Sequence, residues 1–401
     1  MRILWVTENY PPDRGGMAQS CDRIVRGLRG AGATVDVAHL SRRAKPPGAG
    51  RRGSEYLRHD LHAAGAHPGA GRGRPGEPGG RLHTVALADG PEHALRALWT
   101  TLERDASGYS HVVAFGGTYP LLAAPVYSAW SGAPLVTLLR GNDLDTGVFS
   151  LRRQPVVLEA LRSSAEVCVV AGPSARLVSG LAPGTAVTWV PNGIDLDAWR
   201  VLPSERQRAA RWRAGEVAAG RRTVGLIGHL KEKKGVRLFL DALIASGHAD
   251  RFHLLLAGEL GEDVAAWLDA NAGAVPHTRL PFMDRYDLPW VYAASDLVAL
   301  PSFYDGMPNV ALEAAGLGVP LLASDAGGLA DLVDTEIGFP FPAGDLHACR
   351  AAVHDAATVP DDELVARGAA GRERIRRRFS PEAETEGYLR VLRRVTSDTG
   401  R

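Results

Sequence analysis

The stretch ASDLVALPSFYDGMPNVALEAAGLGVPLLASDAGG, residues 294–328, decides the fold of this chain. A short apolar run at 296–301 is followed by a polar turn, by a helical pattern that begins near Pro308, and by a second apolar run at 319–324. Apolar runs of this length, joined by a helix, are typical of neighbouring parallel strands that are buried on both faces. The stretch therefore predicts a strand–helix–strand unit whose polar turn lies at the carboxyl end of a parallel sheet.

The same alternation of apolar runs and helical patterns extends over the rest of the chain. The runs predict further parallel strands at residues 2–7, 34–40, 110–115, 134–139, 166–170, 223–228 and 252–258. VPNGID, at 190–195, interrupts the pattern with Pro and Gly, and 401 residues exceed what one core usually serves. We therefore expect an α/β protein with two doubly wound parallel-sheet domains, residues 1–190 and 191–378.

Composition and cysteine content narrow the class of protein. The 46 basic and 45 acidic residues leave a net charge of +1, so no general attraction to nucleic acid is expected. Cys21, Cys168 and Cys349 fit no metal-binding spacing and predict reduced, buried thiols in a cytoplasmic protein. The N-terminus does not resemble a signal peptide, because its apolar run soon meets Glu8 and two prolines. Residues 111–139 lack charges, but their glycines and prolines favour a buried strand, helix and strand over a membrane span.

Residues 41–82 depart from the pattern. They are rich in Gly, Pro and Arg and contain nine basic residues against three acidic ones. We interpret them as a loop inserted in the first domain. The alternative is a flap over an acceptor or over an anionic surface.

The first candidate site is ENYPPDRGGMAQSCDRIV, residues 8–25, which follows a predicted strand and leads into a helix. Gly15 and Gly16 allow the backbone to approach a ligand closely, and the helix N-terminus presents N–H groups to a diphosphate or a hydroxyl. The G-x-G-x-x-G dinucleotide fingerprint is absent. A tight structural turn is the alternative.

The second is GLIGHLKEKKGVRLFL, residues 225–240, where a cationic turn separates a strand from a helix that begins near Gly235. Lys231, Lys233 and Lys234 beside a helix N-terminus predict an anion site, and Lys234 is nearest to the helix. Its ammonium would stabilise charge on a departing phosphate. A solvated run of charges is the alternative.

The third is TLLRGNDLDTG, residues 137–147. Arg140, Asn142 and Asp143 follow a buried strand directly, which favours a site at the carboxyl end of the sheet. A polar turn capped by Asn or Asp is the alternative.

The fourth lies in the opening stretch, where Asp305 and Glu313 are eight positions apart. Asp305 follows the strand and can accept hydrogen bonds from sugar hydroxyls, while Glu313 can hold a ribose diol through both carboxylate oxygens. The backbone of residues 306–309 between them suits a sugar or a phosphate. The alternative is a helix N-terminus with surface acids.

With these motifs the chain resembles the retaining GT-B glycosyltransferases of family 4, which include glycogen-synthase-like and mycothiol-type enzymes. The resemblance is carried by PPDRGG, VPNGID, GHLKEKKG, LLLAGEL, the stretch 294–328 and the closing RRRFSPEAETEGYLRVL, in the order of the family. It implies two Rossmann-like domains that face each other across a cleft, with a C-terminal helix, 379–401, crossing back to the first. It also implies transfer of a hexosyl or N-acetylhexosaminyl group from a nucleotide-diphosphate donor, UDP being the first expectation, to an acceptor hydroxyl with retained configuration. Neither a metal nor a cofactor is implied.

The resemblance also assigns roles to particular residues. Glu313 would hold the donor ribose, and Asp305 would contact the transferred sugar together with Gly306, Met307, Pro308 and Asn309. Lys234 and Gly16 match the positions that bind the diphosphate. Phe282 and Met283 match the segment that contacts the base. Asn142 and Asp143 are candidate contacts of the acceptor or sugar, and Arg140 joins Asp305 and Lys234 as a candidate catalytic residue.

Three positions depart from the family. Asp305 is one methylene shorter than the usual Glu. His229 replaces an arginine that binds phosphate, which makes the positive charge depend on pH. Arg140 replaces a histidine and predicts a permanent cation, which favours an anionic donor or acceptor or moves phosphate binding to the other domain. A sugar-nucleotide epimerase and a catalytically inactive sugar-nucleotide-binding module remain as alternatives. Small natural products, lipid carriers and polysaccharides all remain as acceptors, and the sequence predicts neither an oligomeric state nor a membrane contact.

Overall fold

The computed structural model describes residues 1–13, 15–42, 57–62, 79–88, 90–271 and 273–398. The chain divides into two compact units. Unit 1 comprises Met1–Asn192 together with Pro381–Arg401, and unit 2 comprises Gly193–Ser380. Each unit contains one sheet that is covered by helices.

Fourteen strands lie within the described ranges. They are β1 (Arg2–Thr7), β2 (Thr34–Ser41), β3 (Leu57–His62), β4 (Gly79–Ala86), β5 (His111–Phe115), β6 (Leu135–Leu139), β7 (Glu166–Val169), β8 (Ala186–Trp189), β9 (Arg222–Ile227), β10 (Phe252–Ala257), β11 (His277–Leu280), β12 (Leu297–Leu300), β13 (Leu321–Ser324) and β14 (Gly338–Phe341).

Fifteen α-helices lie within the same ranges. They are α1 (Gly16–Gly30), α2 (Pro91–Leu102), α3 (Thr118–Ser131), α4 (Asn142–Asp145), α5 (Gln154–Ser163), α6 (Gly172–Leu181), α7 (Pro203–Glu216), α8 (Val236–Ala245), α9 (Glu262–Ala270), α10 (Pro289–Ala294), α11 (Asn309–Gly316), α12 (Leu329–Leu332), α13 (Leu346–Thr358), α14 (Asp361–Arg378) and α15 (Pro381–Asp398). Within the described part of the chain, none of them combines the length and the apolar character needed to cross a bilayer.

The sheet of unit 1 has the strand order β3-β4-β2-β1-β5-β6-β7-β8. Among the described strands its pairings are parallel, except that β3 runs antiparallel to β4. Alternate side chains of β1 enter opposite cores: Leu4 and Val6 pack on one face, and Ile3 and Trp5 on the other. The strand is buried on both faces, which explains why it reads as a continuous apolar run.

The last helix, α15, completes one of these two cores. Tyr388, Leu389 and Val395 are buried in the same cluster as Ile3 and Trp5. The helix is also tied to α1 by an ion pair in which Arg23 donates to both carboxylate oxygens of the buried Glu384, at 2.7 and 3.0 Å. Bidentate pairing of this kind fixes orientation as well as adding energy.

Unit 2 has the strand order β11-β10-β9-β12-β13-β14, and its described pairings are all parallel. The chain passes from β9 through α8 to β10 on one side, whereas β12 lies on the other side of β9. The strand order therefore reverses between β9 and β12. In open parallel sheets ligands bind in the crevice outside the carboxyl ends of strands at such a point.

The inserted segment is more ordered than the sequence indicates. We predicted a loop over residues 41–82, but strand β3 and the first residues of β4 lie within it and pair with each other. The prediction of a loop was therefore wrong at 57–62 and 79–82. Residues 43–56 and 63–78, on which the proposed flap depends, lie outside the described residues.

Candidate active site

Two loops of unit 2 meet where the strand order reverses, one between β9 and α8 and one between β12 and α11. Gly235 has a φ of +60°, and a Cβ atom there would lie 1.9 Å from the carbonyl oxygen of Pro301. The N–H of Phe303 donates to the carbonyl oxygen of Lys233 at 2.9 Å. Only glycine allows this approach at a positive φ, so the contact fixes the two loops against each other.

Lys234 and Asp305 form an ion pair across these two loops. The Lys234 ammonium contacts Oδ2 of Asp305, and the side chains are 24% and 15% exposed. The other oxygen of Asp305, Oδ1, accepts the N–H of Gly306 at 3.0 Å. Both oxygens of the carboxylate are thus oriented by neighbours, and the two residues predicted to bind phosphate and sugar lie in direct contact.

Two consecutive glycines after β13, Gly327 and Gly328, pack against the backbone of the loop that contains Asp305. Gly327 has a φ of +53°, and a Cβ atom there would lie 1.8 Å from the carbonyl oxygen of Asp305. The N–H of Gly328 donates to the carbonyl oxygen of Gly306 at 2.6 Å. We did not assign these glycines a role from the sequence, although a Gly-Gly pair two residues after an apolar run indicates a turn.

Glu313 is buried on α11, only 6% exposed, and it contacts a tyrosine that the sequence did not indicate. The hydroxyl of Tyr292 donates to Oε2 of Glu313 at 2.5 Å. Burial, followed by the charge of Glu313, raises the pKa of Tyr292 well above its ordinary value, so the phenol remains a donor. This contact uses one of about four lone-pair positions of the carboxylate. The only sequence signal for Tyr292 was a phenol within the apolar segment WVYAA.

His229 lies at the end of β9 and forms a solvent-exposed pair with Glu259 at the end of β10. Its Nε2 is 3.3 Å from Oε2 of Glu259, and the side chains are 51% and 63% exposed. Desolvation and the charge of Lys231 lower the pKa of His229, against the opposing effect of Glu259. The imidazole is therefore mainly neutral at pH 7 and does not supply the fixed charge of an arginine.

The remaining predicted donor residues lie on the same carboxyl edge of the sheet. Phe282 is 52% exposed and precedes the half-buried Met283 in the loop after β11, two strands away from β9. Met307 is buried, and Pro308 is the N-cap residue of α11. Asn309 is the first residue of that helix. Strand order alone thus gathers the predicted residues of unit 2 at one edge.

The predicted residues of unit 1 surround the carboxyl ends of β1, β5 and β6. Gly16 begins α1. Asp143 is buried and bridges two loops, because its Oδ1 accepts the N–H of Gly117 and its Oδ2 accepts the N–H of Arg140, both at 2.8 Å. Asn142 begins α4, and its side chain lies outside the described residues.

Arg140 does not present its guanidinium as we predicted for a catalytic cation. The residue is 9% exposed, and it donates to the hydroxyl of Tyr388 at 3.0 Å and to Oδ1 of Asn192. Its Cζ lies 4.9 Å from the centroid of the Phe115 ring. The guanidinium therefore contacts the interior of unit 1.

Glu8, which the sequence did not single out, caps α3. Its Oε1 accepts the N–H of Tyr119 at 2.6 Å, and burial raises the pKa of its carboxyl group. A carboxylate from the loop after β1 thus accepts a backbone N–H at the start of α3. Within the described ranges, no group of three or more His, Cys, Asp and Glu side chains is placed to hold a metal ion.

Comparisons with known proteins agree with this architecture. Residues 221–358 match the family described as Glycosyl transferases group 1. HepE of Anabaena, solved in complex with UDP and glucose, superimposes with a TM-score of 0.72 at 19% identity, with 98% of this chain and 100% of that chain covered. Sucrose-phosphate synthase of Thermosynechococcus elongatus superimposes with a TM-score of 0.75 at 17% identity, with 99% of each chain covered.

Among curated proteins, a GDP-mannose-dependent alpha-(1-6)-phosphatidylinositol monomannoside mannosyltransferase of Mycobacterium tuberculosis is 25% identical over 250 residues. That match covers 60% of this chain and 56% of the mannosyltransferase, so the two are similar over little more than half of the relative's length. The fold is that of the GT-B class, with two Rossmann-like parallel-sheet domains. The resemblance to glycosyltransferases seen in the sequence is thereby confirmed, most directly for unit 2.

Proposed function

We propose that this protein is a glycosyltransferase that moves a sugar from a nucleotide-diphosphate donor to an acceptor hydroxyl with retention of configuration. The observation that carries the proposal is the Lys234–Asp305 pair at the point where the strand order of unit 2 reverses. A cation beside a helix N-terminus suits a diphosphate, and a fixed carboxylate next to it suits sugar hydroxyls.

In this proposal Lys234 stabilises the charge that develops on the departing phosphate. The bond between the anomeric carbon and the phosphate oxygen breaks while a bond to the acceptor oxygen forms on the same face. The acceptor proton passes to a phosphate oxygen of the leaving nucleotide. No protein nucleophile takes part, and electrostatic stabilisation by fixed donors supplies the main share of catalysis.

Glu313 binds the ribose in the proposed complex, and Tyr292 fixes its orientation. The 2.5 Å contact holds one carboxylate oxygen in place, which leaves the group oriented before the donor arrives. The backbone of Gly306, Met307 and Asn309 contacts the sugar and phosphate. Phe282 and Met283 contact the base of the nucleotide. UDP is the nucleotide that we expect first.

Two features favour a donor whose phosphates are bound by fewer cationic side chains than in the resembled family. His229 is mainly neutral at pH 7, and Arg140 is engaged within unit 1. The same features favour the alternative of a sugar-nucleotide-binding module without catalytic activity. Among the residues to which we assign a role, Lys234 is the one cation that contacts the carboxylate of Asp305. The proposal therefore depends on Lys234.

The test is incubation of the purified protein with UDP-, GDP- and ADP-sugars and a panel of hydroxyl acceptors, followed by NMR of the products. We expect a nucleoside diphosphate and an α-configured glycoside from an α-linked donor. An epimerised donor without a glycoside would indicate an epimerase. Donor binding by calorimetry with no product from any acceptor would indicate the binding module.

Changing Asp305 to Glu tests whether the shorter side chain sets donor choice. Because Asp305 already contacts Lys234, an additional methylene must displace either the carboxylate or the ammonium. We expect the ranking of donor sugars to change. An unchanged ranking would mean that selectivity lies elsewhere.

A further inference from the structure

Arg140 links three parts of unit 1 that are distant in sequence. Its guanidinium donates to Tyr388, which is 248 positions away on α15, and to Asn192, which is 52 positions away. Its backbone N–H donates to Asp143, whose other oxygen accepts the N–H of Gly117. A continuous chain of hydrogen bonds therefore runs from the loops after β5 and β6 to Asn192 and Tyr388.

The two acceptors of the guanidinium have a particular place in the chain. Asn192 is the last residue of the first segment of unit 1, and Tyr388 lies in the second segment, which begins at Pro381. These are the two segments by which the chain leaves unit 1 and returns to it. Inside unit 2 the continuations of the same segments are joined, because the N–H of Ile194 donates to the carbonyl oxygen of Phe379 at 2.8 Å.

We propose that Arg140 is a positioning residue that couples the loops after β5 and β6 to both connections between the units. This inference rests on the proposed function and on the prediction from the sequence that Asn142 and Asp143, in the loop after β6, contact the acceptor or the sugar. Acceptor binding then fixes the positions of Gly117 and Asp143. Through its hydrogen bonds, Arg140 in turn fixes the side chains of Asn192 and Tyr388.

The chemistry of the side chain fits this role. A guanidinium presents donors in a rigid planar fork, so it can hold an amide oxygen and a hydroxyl at the same time. Burial and the ring of Phe115 keep the fork in one orientation. Lysine keeps the charge but lacks the fork, so it cannot maintain both contacts in this geometry.

The experiment compares Arg140→Lys, Tyr388→Phe and the double variant with Arg162→Lys, which changes an exposed arginine of α5 in the same way. For each we measure kcat and KM, and the Kd of the donor nucleotide with and without acceptor. We expect Arg140→Lys and Tyr388→Phe each to lower kcat/KM by about tenfold, as for loss of one charge-assisted hydrogen bond. The double variant should be no worse than Arg140→Lys, and the donor Kd without acceptor should stay within about twofold of wild type.

Other outcomes overturn the proposal. Full activity of Tyr388→Phe together with a loss of more than about a hundredfold in Arg140→Lys would assign Arg140 to direct substrate contact. Additive losses in the double variant would mean that the two residues act independently.

Amide hydrogen exchange tests the same linkage without turnover. We expect faster exchange of residues 139–147 in both single variants but not in Arg162→Lys. If wild type transfers no sugar, the proposed function fails while exchange still decides the linkage. Unchanged exchange in both variants would overturn the linkage whether or not transfer is observed.

Discussion

Replacing Tyr292 with Phe removes one oxygen atom from the interior of unit 2 and leaves the ring in place. In the native structure that hydroxyl donates to Glu313 at 2.5 Å, and both residues are buried. Hydrogen bonds to charged groups contribute about 1.5–3 kcal/mol, and a buried acceptor that loses its donor bears the cost of desolvation. We therefore expect the free energy of unfolding to fall by about 1.5–3 kcal/mol.

For a domain of this size, each kcal/mol lowers Tm by roughly 2–4 °C, so the expected decrease is about 3–12 °C. Because Tyr292 orients the carboxylate that binds the ribose, donor Kd should rise by about tenfold, equivalent to about 1.4 kcal/mol. The assays are urea unfolding and isothermal calorimetry with the donor nucleotide. Tyr286→Phe is the matched control, since that phenol is 77% exposed in the same unit.

Two results would refute this reasoning. If Tyr292→Phe unfolds like Tyr286→Phe, the contact with Glu313 does not stabilise unit 2 measurably. If stability falls while donor Kd stays at the wild-type value, Tyr292 supports the fold only, and Glu313 does not depend on it to bind ribose.

Three further predictions concern the loops, the histidines and the cysteines. Gly327→Ala should lower unfolding free energy by more than about 1 kcal/mol and reduce turnover, because its Cβ would meet the Asp305 carbonyl. Gly220→Ala, at a φ of +81° with nothing within 4 Å of the added Cβ, is its control in urea unfolding, and equal losses in both variants would contradict the steric argument. Burial lowers the pKa of His111 and His253, so the unfolded chain takes up more protons below pH about 6.5 and stability should fall there by up to about 1.4 kcal/mol per pH unit for each. Urea titrations should show a shallower acid slope for His111→Gln, and an unchanged slope would count against this cause. Burial raises the pKa of Cys21 and of Cys349 to about 12 and also raises that of Cys168. Because all three thiols are buried, iodoacetamide at pH 8 should label them only in denaturant. Mass spectrometry of the native protein after labelling tests this, and a labelled thiol would contradict it.

The central strands of both sheets were predictable because they are buried on two faces. Strands such as β1, β6 and β10 are continuous apolar runs, and their predicted ends lie within two residues of the observed ones. The strands that the sequence did not indicate are β8, β11 and β14 at sheet edges, and β3 with its neighbour β4. Strands β8 and β11 face solvent more and carry no continuous apolar signal, as the half-exposed HTRL of β11 illustrates. Strand β14 is mostly buried, but it is only four residues long and contains Pro340, which weakens its strand signal.

The candidate site was predictable where charge follows a strand directly. Lys234 and Asp305 lie in the loops that follow two strands, and Glu313 lies on the helix after the second loop. The contact between Lys234 and Asp305 has no sequence signature, since the two residues are 71 positions apart. Tyr292 lies 21 positions before Glu313 on another helix, and only tertiary packing brings them together. The burial of Arg140 was not predictable for the same reason, because its partner Tyr388 belongs to the last helix of the chain.

Turnover of Lys234→Ala tests the central claim most directly, with Arg237→Ala, an exposed cation of α8, as the matched change of charge. Donor binding measured by calorimetry separates loss of affinity from loss of catalysis. We predict that kcat for sugar transfer falls by about a hundredfold or more in Lys234→Ala and changes little in Arg237→Ala. Near-normal turnover of Lys234→Ala at saturating donor would contradict it.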